Sequence, residues 1–197
     1  MSTKSLEKRN LILECAKQVF SKKGFSIVTM KDIIEACNIS RGGIYLYFNS
    51  VDEIFTEVIK LHHQSCVQKI KYDLKDTNDF FHAVNGYFEE VKKNILNIKE
   101  SLKLAMIEFF VAHKEDSESR RFFKEAMDGL RFPIVEIISF GKEHNILSYS
   151  PPEELADLVI FWLIGFEEIM LSTDIPEEIL DHQLELMKNL ILTGKIE

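Results

Sequence analysis

The stretch Thr29-Met-Lys-Asp-Ile-Ile-Glu-Ala-Cys-Asn-Ile-Ser40-Arg-Gly-Gly-Ile-Tyr-Leu-Tyr-Phe48 gathers an unusual set of polar groups at close spacing. The Arg41 guanidinium is suited to a bidentate grip on guanine, the commonest specific contact in the major groove. The ammonium of Lys31 and the hydroxyls of Thr29, Ser40, Tyr45 and Tyr47 are donors of the kind that bond phosphate oxygens. Gly42 and Gly43 carry no side chain, so the backbone at a helix start can approach an anion closely. Two adjacent glycines weaken a helix by about 1 kcal/mol each, and a close approach to a partner is the simplest reason to keep them. This chemistry is that of a helix-turn-helix that touches duplex DNA.

Local signals supply the elements that must hold these groups. Thr29-x-x-Asp32 resembles a capping box, with the shorter Asp in place of Glu or Gln. Asn38 stands where the turn needs a residue tolerant of positive φ. Ser40 is placed to cap the next helix, whose Ile44 and Phe48 are four apart and face inwards together. An earlier helix is expected over about Leu6–Lys23, with Leu11, Ile12, Cys15, Val19 and Phe20 near one face and Gly24 as a left-handed stop. Ser50-x-x-Glu53 reads as a capping box opening a fourth helix towards Lys71.

The chain has 197 residues and a net charge of −8, which at first argues against a polyanionic partner. The distribution reverses that. Residues 1–50 hold eight basic against four acidic side chains, and the remainder holds sixteen basic against twenty-eight acidic. A basic head on an acidic body fits a protein that meets phosphate with one end only. At 46% hydrophobic residues a substantial core is available. There is no run of eighteen apolar residues, and the start of the chain is polar and charged, so no membrane contact and a cytoplasmic location are expected. Cys15, Cys37 and Cys66 are unclustered and read as reduced thiols.

The segments Ile12-Leu-Glu-Cys-Ala16, Val19-Phe20, Lys23-Gly-Phe25, Val28-Thr-Met-Lys-Asp-Ile33, Ile39-Ser-Arg-Gly-Gly-Ile-Tyr-Leu-Tyr-Phe48 and Glu53-Ile-Phe55 together resemble the DNA-binding domain of the tetracycline-repressor (TetR) family. The resemblance covers about residues 6–58. It implies an all-α homodimer with an N-terminal DNA reader and a variable C-terminal domain that binds a small effector and dimerises. It also implies a repressor that leaves a palindromic operator when the effector binds. The pattern departs from the family at Asn38, often Gly, at Ile34, often Ala, and at Val51, often a phosphate-binding Lys. Gly43 replaces a position that often bears a side chain, which shifts weight from base contacts to DNA shape.

The rest of the chain is helical in periodicity. Segments are expected near Asn78–Asn97, Ser101–Lys114, Ser117–Asn145, Pro152–Ser172 and Pro176–Thr193. A kink or break is expected near Gly129 and Pro133, and a helix start at Ser150-Pro-Pro-Glu153. The fold class is therefore all-α: a DNA-binding domain over 1–50, extending into a linking helix at 51–71, and a helical effector and dimerisation domain over 72–197.

Leu155–Phe166 is apolar nearly all round. With the following helix it predicts a hairpin that pairs with its symmetry mate through Leu155, Leu158, Trp162, Phe166, Leu184, Met187, Leu190 and Ile191, with a core inside one chain as the plainer reading. The aromatic middle segments are ordinarily core, yet Phe81, Phe88, Phe109, Phe110 and Phe123 are candidates to line an apolar effector pocket. Glu108, inside an apolar run, is a candidate counter-ion for that effector, with a surface Glu as the plainer reading.

His62, His63 and Cys66 share a helical turn, but no second cluster is present to close a metal site, and no metal or cofactor is expected. No nucleophile elbow, phosphate-binding glycine loop, Cys-x-x-Cys or metalloprotease motif is present, so no catalytic residue is expected. The partners expected are double-stranded DNA, a second copy of the chain and a small-molecule effector. The alternative is an effector-independent activator or architectural DNA-binding protein.

Overall fold

Gly24 ends the first helix, α1 (Thr3–Lys23), in the left-handed region at φ +78, and its N–H bonds the Phe20 carbonyl at 2.9 Å. The computed structural model describes residues 3–74, 80–148 and 152–194. Among these the secondary structure is helical and no strand occurs. After α1 come α2 (Met30–Cys37), α3 (Arg41–Ile44), α4 (Val51–Asp73), α5 (Phe80–Leu96), α6 (Lys103–Ala112), α7 (Ser117–Glu143), α8 (Pro152–Ser172) and α9 (Glu177–Thr193). A 3-10 turn, Ile98–Glu100, precedes α6 and has no counterpart in the expected elements. The expected starts at Asn78 and at Ser150-Pro151 lie outside the described residues.

α7 runs unbroken through Pro133, where a kink or break was expected. Proline withholds the N–H that would reach the Gly129 carbonyl, a loss that ordinarily interrupts a helix. Here Pro133 is buried beside Ile134, so packing holds the turn.

The chain forms two compact units. The first is Met1–His62 with Lys99–Ala126, and the second is His63–Ile98 with Met127–Glu197. The unit that carries the N-terminal helices thus also contains α6 and the start of α7, which the sequence boundary had assigned with the C-terminal part. Its core centres on Ile12, Phe20, Ile33, Ile44, Phe48, Phe55 and Phe109, all 2% exposed or less. Each of the phenylalanines contributes about 1.5–3 kcal/mol relative to an exposed side chain. Edge-to-face contacts orient them: Phe20 meets Phe55 at 4.9 Å between centroids, and Phe25 meets Phe109 at 5.0 Å.

In the second unit α9 packs along α5, and Lys92 pairs with both Glu177 at 2.8 Å and Asp181 at 2.6 Å. Trp162 on α8 donates its indole N–H to Gln183 of α9 at 3.2 Å. Arg131 of α7 meets Asp157 of α8 at 2.7 Å. The ring of His63 lies against α7 so closely that a Cβ at Gly129 would stand 2.7 Å from its Nδ1.

Candidate nucleic-acid interface

The turn from α1 to α2 is built on Asp32. Its Oδ2 accepts from the Thr29 N–H at 2.8 Å and the Thr29 hydroxyl at 2.6 Å, while Thr29 Oγ1 accepts from the Asp32 N–H at 3.3 Å. This is the reciprocal box expected from Thr29-x-x-Asp32. Lys23 donates to the other oxygen, Oδ1, at 2.6 Å. The Lys23 ammonium, then the Thr29 hydroxyl and N–H, hold the Asp32 carboxyl well below the usual carboxylate range.

α2 ends at Asn38, with φ 51 and ψ 47, where Asn pays less than other non-glycine residues for a left-handed backbone. Ser40 follows in extended conformation and its Oγ accepts from the Gly43 N–H at 3.1 Å. Only Arg41–Ile44 is α-helical. With two glycines among four residues the helix is short, and the chain continues as a turn in which Tyr47 N and Phe48 N both bond the Ile44 carbonyl, at 2.9 and 3.1 Å. Ile44 and Phe48 are buried as expected, at 0% and 1% exposure. They fix the turn so that Arg41, Gly42, Tyr45 and Leu46 face solvent while Tyr47 is half-buried.

Of the expected contact residues, Arg41 and Lys31 extend into solvent; Lys31 stands 3.7 Å from Glu35, an exposed pair of little energetic weight. Ser40 spends only an acceptor lone pair on capping, whereas Thr29 gives Asp32 its hydroxyl proton as well, which leaves no donor for the phosphate contact expected of it. Of the two glycines only Gly42 is exposed, and Gly43 is buried. A Cβ at Gly42 would meet nothing within 4 Å, whereas one at Gly43 would stand 3.0 Å from Ser40 Oγ and 3.8 Å from Lys8 Nζ. Lys8 of α1 therefore belongs to the same surface. Sequence reading missed it because nothing local ties residue 8 to residue 43. Arg9 stacks its guanidinium 5.1 Å over the Phe48 ring and pairs with Glu57 at 2.5 Å, which turns it away from a nucleic-acid role. Glu53 bonds the N–H of Asn49 at 2.7 Å rather than that of Ser50, while Ser50 Oγ accepts from Glu53 N at 3.1 Å.

The candidate effector residues are divided. Phe81 and Phe88 lie on α5 in the second unit, Phe81 exposed and Phe88 buried in the core. Glu108, Phe109, Phe110 and Phe123 lie in the first unit. Phe109 is core against Phe25, Phe55 and Phe122, and Phe110 contacts Phe122 and Phe123. Glu108 is occupied otherwise than as a counter-ion. Its Oε2 accepts from the N–H groups of Phe25 at 2.6 Å and Ser26 at 2.8 Å, clamping the turn after α1 from α6. A Cβ at Gly24 would lie 2.6 Å from that oxygen, so this approach needs glycine for space as well as for φ. His113, at the end of α6, faces Asp52 of α4 through Nε2 at 2.9 Å and the Phe109 carbonyl through Nδ1 at 2.8 Å. A surface pocket of the second unit is lined by Lys71, Leu74, Glu136, Ser139, Phe140 and Glu143, none of them in the expected set.

The expected dimer residues also divide. Phe166, Leu184, Met187, Leu190 and Ile191 are 8% exposed or less and belong to the second unit's own core, which leaves little of them for a partner. Leu155 and Trp162 are partly buried, and Leu158 is exposed. The apolar side chains that α8 leaves to solvent are Leu158, Phe161 and Ile169, on one face with Gly165. Among the described residues no group of three or more His, Cys, Asp or Glu is placed to hold a metal ion. No described helix is long and apolar enough to cross a membrane.

A family model described as bacterial regulatory proteins, tetR family, matches residues 12–58. The chain is 28% identical over 152 residues to the uncharacterized HTH-type transcriptional regulator YfiR of Bacillus subtilis (strain 168), an alignment covering 77% of this chain and 73% of that protein. A shorter match to the HTH-type transcriptional regulator AcrR of Shigella flexneri is 30% identical over 74 residues, 37% of this chain and 34% of that one. The crystal structure of reduced E. coli NemR has the same fold, with TM-score 0.73 at 16% identity over 93% of this chain and 97% of that chain. So has FadR of Bacillus halodurans, a fatty acid degradation regulator, with TM-score 0.70 at 19% identity over 95% of each chain.

Proposed function

This chain is a DNA-binding transcriptional regulator of the TetR family, and from that premise we propose that it is a homodimeric repressor released from a palindromic operator by a small lipophilic effector. The observation that carries the DNA-reading assignment is the anchored turn at 40–48. Ile44 and Phe48 lock it to the core, and Arg41, Gly42 and Tyr45 are presented outward beside Lys8. In this reading Arg41 contacts a base edge. Lys31, Tyr45, Tyr47 and the Ser40 hydroxyl meet phosphates, and exposed Gly42 lets the backbone close on the duplex, while Thr29, whose proton is held by Asp32, and buried Gly43 shape the turn. Residues 1–50 read DNA, and effector and dimer surfaces lie within 72–197. The exposed α8 face with Leu158, Phe161 and Ile169 supports dimerisation, and two readers would then meet half-sites about one helical turn apart. Such a protein acts in the cytoplasm.

What supports coupling to an effector is the Glu108 clamp. α6 lies outside residues 1–50 yet holds the backbone of the turn that leads into α2. An effector acts only through its difference in affinity between two states of such a contact. Phe81 and Phe88 remain its candidate contacts in the second unit.

The test is fluorescence anisotropy with a labelled duplex from the gene's own upstream region and an unrelated duplex as control. Wild type and the Arg41→Ala/Tyr47→Ala double variant are titrated at two salt concentrations. Tight binding that weakens with salt and disappears in the variant is the expected result. Equal weak binding to both duplexes by both proteins would remove the assignment of the reading turn. Release by lipophilic compounds, followed in the same assay, separates the repressor from an effector-independent binder.

A further inference from the structure

Leu46 is the most exposed large apolar side chain among the described residues, at 79%. It is not at a frayed end. Its neighbours at 44 and 48 are buried at 0% and 1%, and the Phe48 N–H bonds the Ile44 carbonyl at 3.1 Å, so residue 46 is held on the side away from the core. Tyr45 beside it is exposed too, and Arg41 and Lys8 place positive charge on the same surface. A leucine offers no hydrogen bond, so phosphate gains nothing from it. The one apolar group that a duplex presents to a side chain in the major groove is the C5 methyl of thymine. Resting on the DNA-reading assignment above, we infer that Leu46 is a specificity-determining residue that selects thymine at one position of each half-site by packing on that methyl.

The inference is tested by removing the methyl alone. Wild-type protein is used to select duplexes from a random pool, and each thymine of the recovered sequence is replaced in turn by deoxyuridine, which keeps every hydrogen bond. One replacement per half-site should weaken wild type about fourfold, the affinity equivalent of one buried methyl group. Leu46→Ala should bind the thymine and deoxyuridine duplexes equally, and Leu46→Met, which restores apolar reach, should recover part of the difference. The thermal midpoints of the variants should match wild type, because the side chain is exposed.

Wild type indifferent to every replacement, or Leu46→Ala showing the same loss as wild type, overturns the inference while leaving DNA reading intact. A pool from which wild type enriches no sequence overturns the DNA-reading assignment and this inference with it. Reduced self-association of Leu46→Ala with unchanged methyl dependence would assign the side chain to a protein contact instead.

Discussion

Replacing Glu108 by Ala should loosen the reader from a distance of more than eighty residues in sequence. The Glu108 carboxylate accepts two backbone N–H groups, Phe25 at 2.6 Å and Ser26 at 2.8 Å. Hydrogen bonds to a charged acceptor contribute about 1.5–3 kcal/mol each when shielded, and less where water can substitute. Phe25 is half-buried and Ser26 exposed, so the first bond carries most of the effect and the sum is about 2 kcal/mol. That corresponds to a fall in melting midpoint of roughly 4–8 °C in a chain of this size.

The local readout is hydrogen exchange. The amides of Phe25 and Ser26 should lose protection in Glu108→Ala, while Trp162 fluorescence, which reports the second unit, should change little. A double-mutant cycle with Gly24→Ala sharpens the test. In wild type the added Cβ would sit 2.6 Å from Glu108 Oε2 and would also be forced to φ +78. The left-handed backbone costs about 1–2 kcal/mol by itself. In the Glu108→Ala background the clash disappears and only that backbone cost should remain. Strictly additive effects, or unchanged protection at Phe25 in Glu108→Ala, would refute the clamp.

Gly42→Ala should stabilise the turn by up to about 1 kcal/mol, because nothing lies within 4 Å of the new methyl, yet weaken DNA binding about tenfold; anisotropy and thermal melts that move in the same direction would contradict close backbone approach. Asp32 has a pKa below its ordinary value of 3.8, because of Lys23 first and Thr29 next, so its stabilisation is complete above that value and fades as pH falls through the folded-state value. The stability gap between wild type and Asp32→Asn should therefore be full at neutral pH and shrink below about pH 4 in acid titrations followed by circular dichroism. A gap that widens in acid would contradict the pairing. Phe161→Glu, on the exposed face of α8, should convert a dimer into a monomer in sedimentation velocity at micromolar concentration, whereas Met187→Ala should lower stability by about 2–5 kcal/mol through its buried cavity without that specific dissociation.

The backbone of the 29–48 segment was legible residue by residue because its devices are local. The Thr29–Asp32 box, the left-handed Asn38 and the Ser40 cap close over three residues or sit at a single one, so residue type and spacing determine them. The inward pair Ile44 and Phe48 follows from helical spacing alone. Fold class was legible for the same reason, since periodicity and caps mark helices wherever they lie. The apolar run at 155–166 gave the helix but not its buried face. Leu163 and Phe166 turn into the unit's own core while Leu158 and Phe161 do not, and hydrophobicity is the same in both sets.

Glu108 makes the contrast plainest. In sequence it is a carboxylate within an apolar run, equally consistent with surface, counter-ion or clamp. Its contacts lie 83 and 82 positions away, and no local pattern encodes them. The same holds for His113 with Asp52, for Lys8 beside Gly43, and for the membership of Lys99–Ala126 in the N-terminal unit. The sequence by itself determined the helices and most of their caps, because those are settled by bonds between near neighbours in the chain. Tertiary structure alone decided what holds the reading turn and which apolar faces stay open, because those depend on surfaces that meet only once distant segments have packed.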